Sequence, residues 1–266
     1  MIDSRGQEAM MLHPLKKLNG MTLGTEDGEI GKVKDVYFDD ASWGVRYLIV
    51  ETGSWLSGRK VLVSPRSVRG VDWDKNVVHV ALTKQQIKDS PDIDTDKPVS
   101  RQHEVEFSAY YGYPVYWDGQ FLWGPYPPLA EDMASSERMA SEFALREKYK
   151  MQAADHHLRS ARDLVGYHIH ANDGSIGHID EFLFDDAAWG IRYIVIDTVD
   201  WWVGKHVIIP PQWMKRLEWT ERTLYLDIDR ATVKSCPEYN SNVILSRDYE
   251  ARLHNHYGRA AYWDGE

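Results

Sequence analysis

Two stretches of the chain alternate side chains at the two-residue period of a strand. Val33, Asp35 and Tyr37 oppose Lys34, Val36 and Phe38, and Arg46, Leu48 and Val50 oppose Val45, Tyr47 and Ile49. Such runs predict strands with one face fully buried and the other partly so. Ahead of them Glu26-Asp27-Gly28-Glu29, and later Asn172-Asp173-Gly174-Ser175, place Asp-Gly between extended segments, a two-residue hairpin signal because both turn positions favour positive φ. Val61-Leu62-Val63 runs into Pro65, which removes a ladder donor and suits a strand end or edge. A last hairpin, Val71 to Trp73 with Val77 to Leu82, closes the set. Thr83 to Pro91 then predicts a short helical turn, and Ser100-Arg101-Gln102-His103-Glu104 a capped helix start ended near Gly112. Five or six short strands with tight turns read as a small antiparallel barrel.

The whole pattern occurs twice at a constant offset of 146 residues. Phe38-Asp39-Asp40-Ala41-Ser42-Trp43-Gly44-Val45-Arg46-Tyr47 returns as Phe184-Asp185-Asp186-Ala187-Ala188-Trp189-Gly190-Ile191-Arg192-Tyr193, and Tyr-Trp-Asp-Gly ends both copies with Trp117 and Trp263. From Leu18/Leu164 to Gly119/Gly265, roughly 30 of about 100 pairs are identical and most others exchange Val, Ile and Leu, as two copies of one packed core do. This duplicated signature resembles the PRC-barrel family, the barrel of the photosynthetic reaction centre H subunit's cytoplasmic domain and of the ribosome-maturation factors. The resemblance implies a mainly β fold of two tandem small antiparallel barrels, each with a C-terminal helical and aromatic tail. The expected organisation is repeat one with its tail at 12–119, a connector at 120–157 and repeat two with its tail at 158–266. In the connector, Phe121 to Pro128 is proline-rich and Glu131 to Gln152 favours helix.

Composition narrows the task. A net charge of −10 with no basic run longer than Lys16-Lys17 argues against nucleic acid, whose affinity comes from clustered Lys and Arg. Cys236 is the single cysteine, so no intrachain disulfide forms and a reducing cytoplasm is the expected location. Met1 to Met11 carries no apolar signal region and no apolar run approaches 18 residues, so neither export nor membrane insertion is expected.

Candidate chemistry is sparse. Asp39-Asp40 and Asp185-Asp186 could supply acid/base or metal carboxylates, but as turn formers they need no other role, with Arg46 and Arg192 nearby as counter-charges. His168, His170 and His178 lie on neighbouring strands of the second copy, with His254 and His256 in its tail, and the weak metal candidates are His168 and His170, two apart on one face. Their first-copy counterparts are Thr22, Gly24, Lys32, Ser108 and Tyr110, so the set is no property of the repeated fold and reads as solvated surface. Asp92-Ile93-Asp94-Thr95-Asp96 opens like a calcium loop, but Lys97 stands at the glycine position and His103 at the bidentate Glu position, which leaves an acidic turn. Trp43/Trp189, Trp55/Trp201, Trp73/Trp219 and Trp117/Trp263 recur and read as packing. Trp123, Trp202 and Trp213 do not recur, and unrepeated large aromatics are partner-contact candidates.

The expectation is a non-enzymatic interaction or scaffold protein that binds another protein or itself, without a cofactor. What the resemblance implies includes a second role, an accessory of a membrane electron-transfer complex touching it peripherally as the H subunit does. That subunit carries an N-terminal membrane helix, which is not visible in this chain. A metal-dependent enzyme using the second-copy histidines is the third reading.

Overall fold

The computed structural model describes residues 11–53, 58–91, 99–117, 157–198, 205–241 and 245–263. Trp55, Asp92 to Asp96, Trp123, Trp201, Trp202 and the connector between residues 118 and 156 lie outside the described residues. In chain order the strands are β1 (Leu12–Pro14), β2 (Thr22–Thr25), β3 (Gly28–Asp39), β4 (Val45–Glu51), β5 (Lys60–Val63), β6 (Val68–Asp72), β7 (Val77–Val80), β8 (Leu158–Ser160), β9 (His168–Ala171), β10 (Gly174–Asp185), β11 (Gly190–Asp197), β12 (His206–Ile209), β13 (Met214–Glu218) and β14 (Thr223–Leu226). The helices are α1 (Lys84–Lys88), α2 (Arg101–Tyr111), α3 (Ala161–Leu164), α4 (Arg230–Ser235) and α5 (Arg247–Tyr257). The protein is mainly β, with one seven-stranded sheet in each of two compact units.

Each sheet follows the same path, β5-β4-β3-β2-β7-β6 in one and β12-β11-β10-β9-β14-β13 in the other. Adjacent strands pair antiparallel except β2 with β7 and β9 with β14, which run parallel. The expected antiparallel sheets thus carry one parallel pair each, and Pro65 and Pro211 show why. Each proline opens a three-residue 3₁₀ turn between two strands, Pro65–Ser67 and Pro211–Trp213. The pairings require β5 and β6 to run in the same sense, so this turn bends the chain without reversing it and the next hairpin arrives parallel to β2.

The repeat and the folded unit differ at one strand. By the offset of 146, β1 and β8 are counterparts, yet β1 pairs with β10 of the second copy and β8 with β3 of the first. Leu12, His13 and Pro14 face Asp185, Phe184 and Leu183, and Leu158, Arg159 and Ser160 face Asp39, Phe38 and Tyr37, so the registers are equivalent. One unit accordingly holds residues 17–160 and the other residues 1–16 with 161–266.

Each unit has its own core. In the first, Tyr47, Ile49 and Leu62 on the sheet meet Val99, Phe107 of α2 and the incoming Leu158. In the second, Leu183, Tyr193, Val195 and Ile208 meet Tyr239 and Leu253 of α5, with Leu12 packed against them. The helices lie where local signals put them. Ser100 and Ser246 cap α2 and α5 by accepting from the amides of His103 and Tyr249, and Gly112 and Gly258 end them in the left-handed region. Thr83 and Gln86 form a capping box on α1. No helix among the described residues is long and apolar enough to cross a membrane.

Candidate functional site: a buried ionic cluster in each unit

The repeated Asp opens the turn after the long strand. Asp39 Oδ1 accepts from the amides of Ala41 and Ser42 and from Ser42 Oγ, while its carbonyl accepts from the Trp43 amide at 2.8 Å. Asp185 repeats this with Ala187, Ala188 and Trp189. Both tryptophans close the turn at positive φ, 59° and 55°, and their rings lie on Phe38 and Phe184 at 5.1 and 5.4 Å. The second Asp of each pair faces the exchanged strand. Asp40 accepts from Arg159 Nε at 2.7 Å, and Asp186 lies 3.3 Å from His13 Nε2.

Arg46, 2% exposed, reaches Asp39 through Ser42, whose hydroxyl accepts from Arg46 Nη2 at 2.8 Å. In the second copy Ala188 replaces that serine, and Arg192 Nη2 donates directly to Asp185 Oδ2 at 3.1 Å. Both guanidinium groups lie over a tail tyrosine, Arg46 at 3.7 Å from the Tyr116 ring centroid and Arg192 at 4.4 Å from that of Tyr262. Trp117 and Trp263 are covered in turn by Arg101 and Arg247, at 4.2 and 4.1 Å.

At the centre of each cluster sits a helix glutamate. Glu104, 0% exposed, accepts from the hydroxyls of Tyr47 at 3.3 Å and Tyr116 at 2.6 Å, and its other oxygen is 2.8 Å from His157 Nε2. Glu250 accepts from Tyr193 at 2.8 Å and Tyr262 at 2.9 Å. The histidine beside it is His254, whose Nε2 is 3.2 Å from the Tyr193 hydroxyl. The two histidines come from different elements: His157 immediately precedes the exchanged β8, whereas His254 belongs to α5. At the offset of 146 they fall opposite Met11 and Ser108.

Burial and charge act together on these groups. Burial pushes the Tyr47 and Tyr116 hydroxyls far above their ordinary range, and the Glu104 carboxylate adds to it, so both remain proton donors. For Asp39, burial works upward, but Arg46, the Ser42 bonds and His157 outweigh it and hold the carboxyl below its usual value. Burial raises Glu250, although the Tyr193 bond and Arg247 oppose the rise. The result is a polar staple that joins sheet, helix, aromatic tail and, in the first unit, the exchanged segment. The bonded pairs named above each lie within one unit.

The duplicated Asp, Trp and Arg of the sequence signature thus come together with Trp117 and Trp263. Glu104/Glu250, Tyr47/Tyr193 and Arg101/Arg247 were not singled out as site residues, although their identity across the two copies was a visible signal. Trp213 corrects the expectation of a partner contact at that position. It is 4% exposed and packs against Tyr257 at 4.5 Å and His254 at 5.6 Å within its own unit. His168 is exposed on β9, opposite His178 on β10, and His170 lies beside the Tyr225 ring at 5.5 Å. Among the described residues, no group of three or more His, Cys, Asp or Glu is placed to hold a metal ion.

Among known proteins, the chain is similar to an uncharacterized protein of Deinococcus radiodurans, 34% identical over 79 residues. That match covers 30% of this chain and 28% of the relative. The PRC-barrel domain matches twice, at residues 12–87 and 156–233, which take in both sheets from the exchanged strand to the helix after the last hairpin. With two matches that span most of the chain and a fold that repeats with them, the protein belongs to the PRC-barrel family.

Proposed function

We propose that the chain is a non-enzymatic platform of two PRC-barrel domains that binds another protein or a second copy of itself in the cytoplasm. One observation supports this most directly. Of the ionisable residues identical in the two copies, those that form the central cluster, Asp39/Asp185, Arg46/Arg192 and Glu104/Glu250, are turned inward and bonded to residues of their own unit. A catalytic carboxylate needs a face toward substrate, and Glu104 is fully covered. Duplication has therefore preserved a rigid scaffold, and the exposed surfaces are left to recognise partners.

Two measurements on the full chain test this. Calorimetric titration with Zn²⁺ and Mn²⁺ is expected to show no stoichiometric uptake that His168→Ala/His170→Ala abolishes. Crosslinking mass spectrometry in the native cell is expected to join exposed residues of the chain reproducibly to one protein partner or to a second copy. Stoichiometric metal lost in the double variant, with no such crosslinks, would overturn the proposal in favour of an enzyme.

A further inference from the structure

We propose that the strand exchange is a joint that two copies of this chain can also make with each other, trading Leu12–Pro14 and Leu158–Ser160 to form an interlocked dimer. The proposal rests on the platform reading and names one partner for it, a second copy.

Donor and acceptor are duplicated in matching form. Both donors enter in the same register on the same three residues of a long strand, Tyr37 to Asp39 or Leu183 to Asp185. Both begin with a leucine that joins the acceptor's core, Leu158 in one unit and Leu12 in the other. Both put a basic residue against the second Asp of the turn, Arg159 on Asp40 and His13 on Asp186. Both meet a second carboxylate at the strand's bulge. Ser160 Oγ donates to Asp35 at 2.7 Å, and Lys16 donates its amide to Glu181 at 3.3 Å with its Nζ 3.4 Å away. Each acceptor is thus a short edge that recognises a leucine followed by a base. None of these contacts distinguishes a donor in the same chain from one in a second copy.

The chain also provides the hinge. The compact units divide between Lys16 and Lys17 and between Ser160 and Ala161, each within three residues of a donor strand. A donor that leaves its own repeat through so short a segment is the arrangement from which domain swapping proceeds. The first unit is moreover incomplete without its guest, because His157 arrives with β8 and meets Glu104 at 2.8 Å. A second copy that donated β8 would complete the same cluster in trans.

Exchange within one chain works at an effective concentration on the order of millimolar, so the trans form is expected when chains refold together near that concentration. The test splits one contact between two chains in a Cys236→Ser background. One chain carries Asp40→Cys and the other Arg159→Cys, and a disulfide between them requires exchange in trans. After co-refolding at about 1 mM, the covalent heterodimer is expected at about a hundredfold or more the yield obtained at about 1 µM. The same chain with both substitutions is the control for geometry and is expected to close an internal disulfide. His13→Cys split from Asp186→Cys gives the second version. Internal disulfides in both double variants, with no heterodimer from either split pair, would overturn the proposal. So would a monomer mass by light scattering for the unmodified chain after refolding at about 1 mM. A chain that fails here but crosslinks to one host protein in the cell loses the exchange and keeps the platform reading.

Discussion

At the scale of single residues, the turn tryptophans combine two opposed effects. Trp43 and Trp189 are buried against a phenylalanine ring, stacked in the first copy and tilted in the second, yet each sits at a φ that bulky L-residues rarely adopt. Removing the ring by Trp43→Ala or Trp189→Ala should cost about 3 kcal/mol in urea unfolding. Glycine loses the same ring but relieves the left-handed backbone, so each Gly variant is expected to be about 1 kcal/mol more stable than its Ala counterpart. Equal stabilities would mean that the turn carries no strain. Glu250 makes a pH-dependent case. Burial raises its folded-state pKa above the ordinary value of 4.5, so ionisation favours the unfolded chain. Its contribution is fully present below about pH 4.5 and declines as pH rises through the raised folded value. Gln cannot ionise, so the stability lost in Glu250→Gln should be larger at pH 4 than at pH 7. A loss that is constant across that range would refute the assignment.

At the scale of elements, the long strands bend at a register shift that only glycine accommodates. Gly31 and Gly177 have φ of 155° and 131°, and a Cβ on either would run into the carbonyl oxygen of Glu51 or Asp197 on the neighbouring strand. Gly31→Ala and Gly177→Ala should each cost at least about 3 kcal/mol, read as a lowered midpoint in urea. Gly70 has open space around it and φ outside the left-handed region, so Gly70→Ala is the control expected to leave the midpoint nearly unchanged. Much at this scale was legible in the sequence, because hairpins, caps and helix stops are written in the residues that form them. Gly28, Ser100 and Gly112 each act through their own backbone or a neighbour within four residues. The parallel β2/β7 pair was not legible in the same way. Pro65 signals an interruption, but whether the chain bends or reverses there depends on where the following hairpin finds a free edge. Trp213 misled for a related reason. Its lack of a counterpart in the first copy suggested an outside partner, whereas its partners are His254 and Tyr257 of α5, more than forty residues on.

At the scale of the whole molecule, the duplication told which residues correspond but not which copy each one joins. Leu12 and Leu158 fit both acceptors equally as sequence, and only the folded chain shows that each has crossed to the other repeat. This crossing carries a consequence for truncation. Deleting residues 1–14 removes β1, which belongs by sequence to the first repeat, yet the strand left unpaired is β10 of the second. The deletion exposes the edge at Leu183 to Asp185, uncovers Leu12's place against the second unit's core, and removes the His13 contact with Asp186. The first unit keeps β8, Leu158 and His157 and should be untouched. Hydrogen exchange measured residue by residue is therefore expected to accelerate by about tenfold or more in β10 and in α5, the helix packed on that sheet, and to stay within about twofold in β3 and α2. Faster exchange in β3 with β10 unchanged would instead show that β1 serves its own repeat.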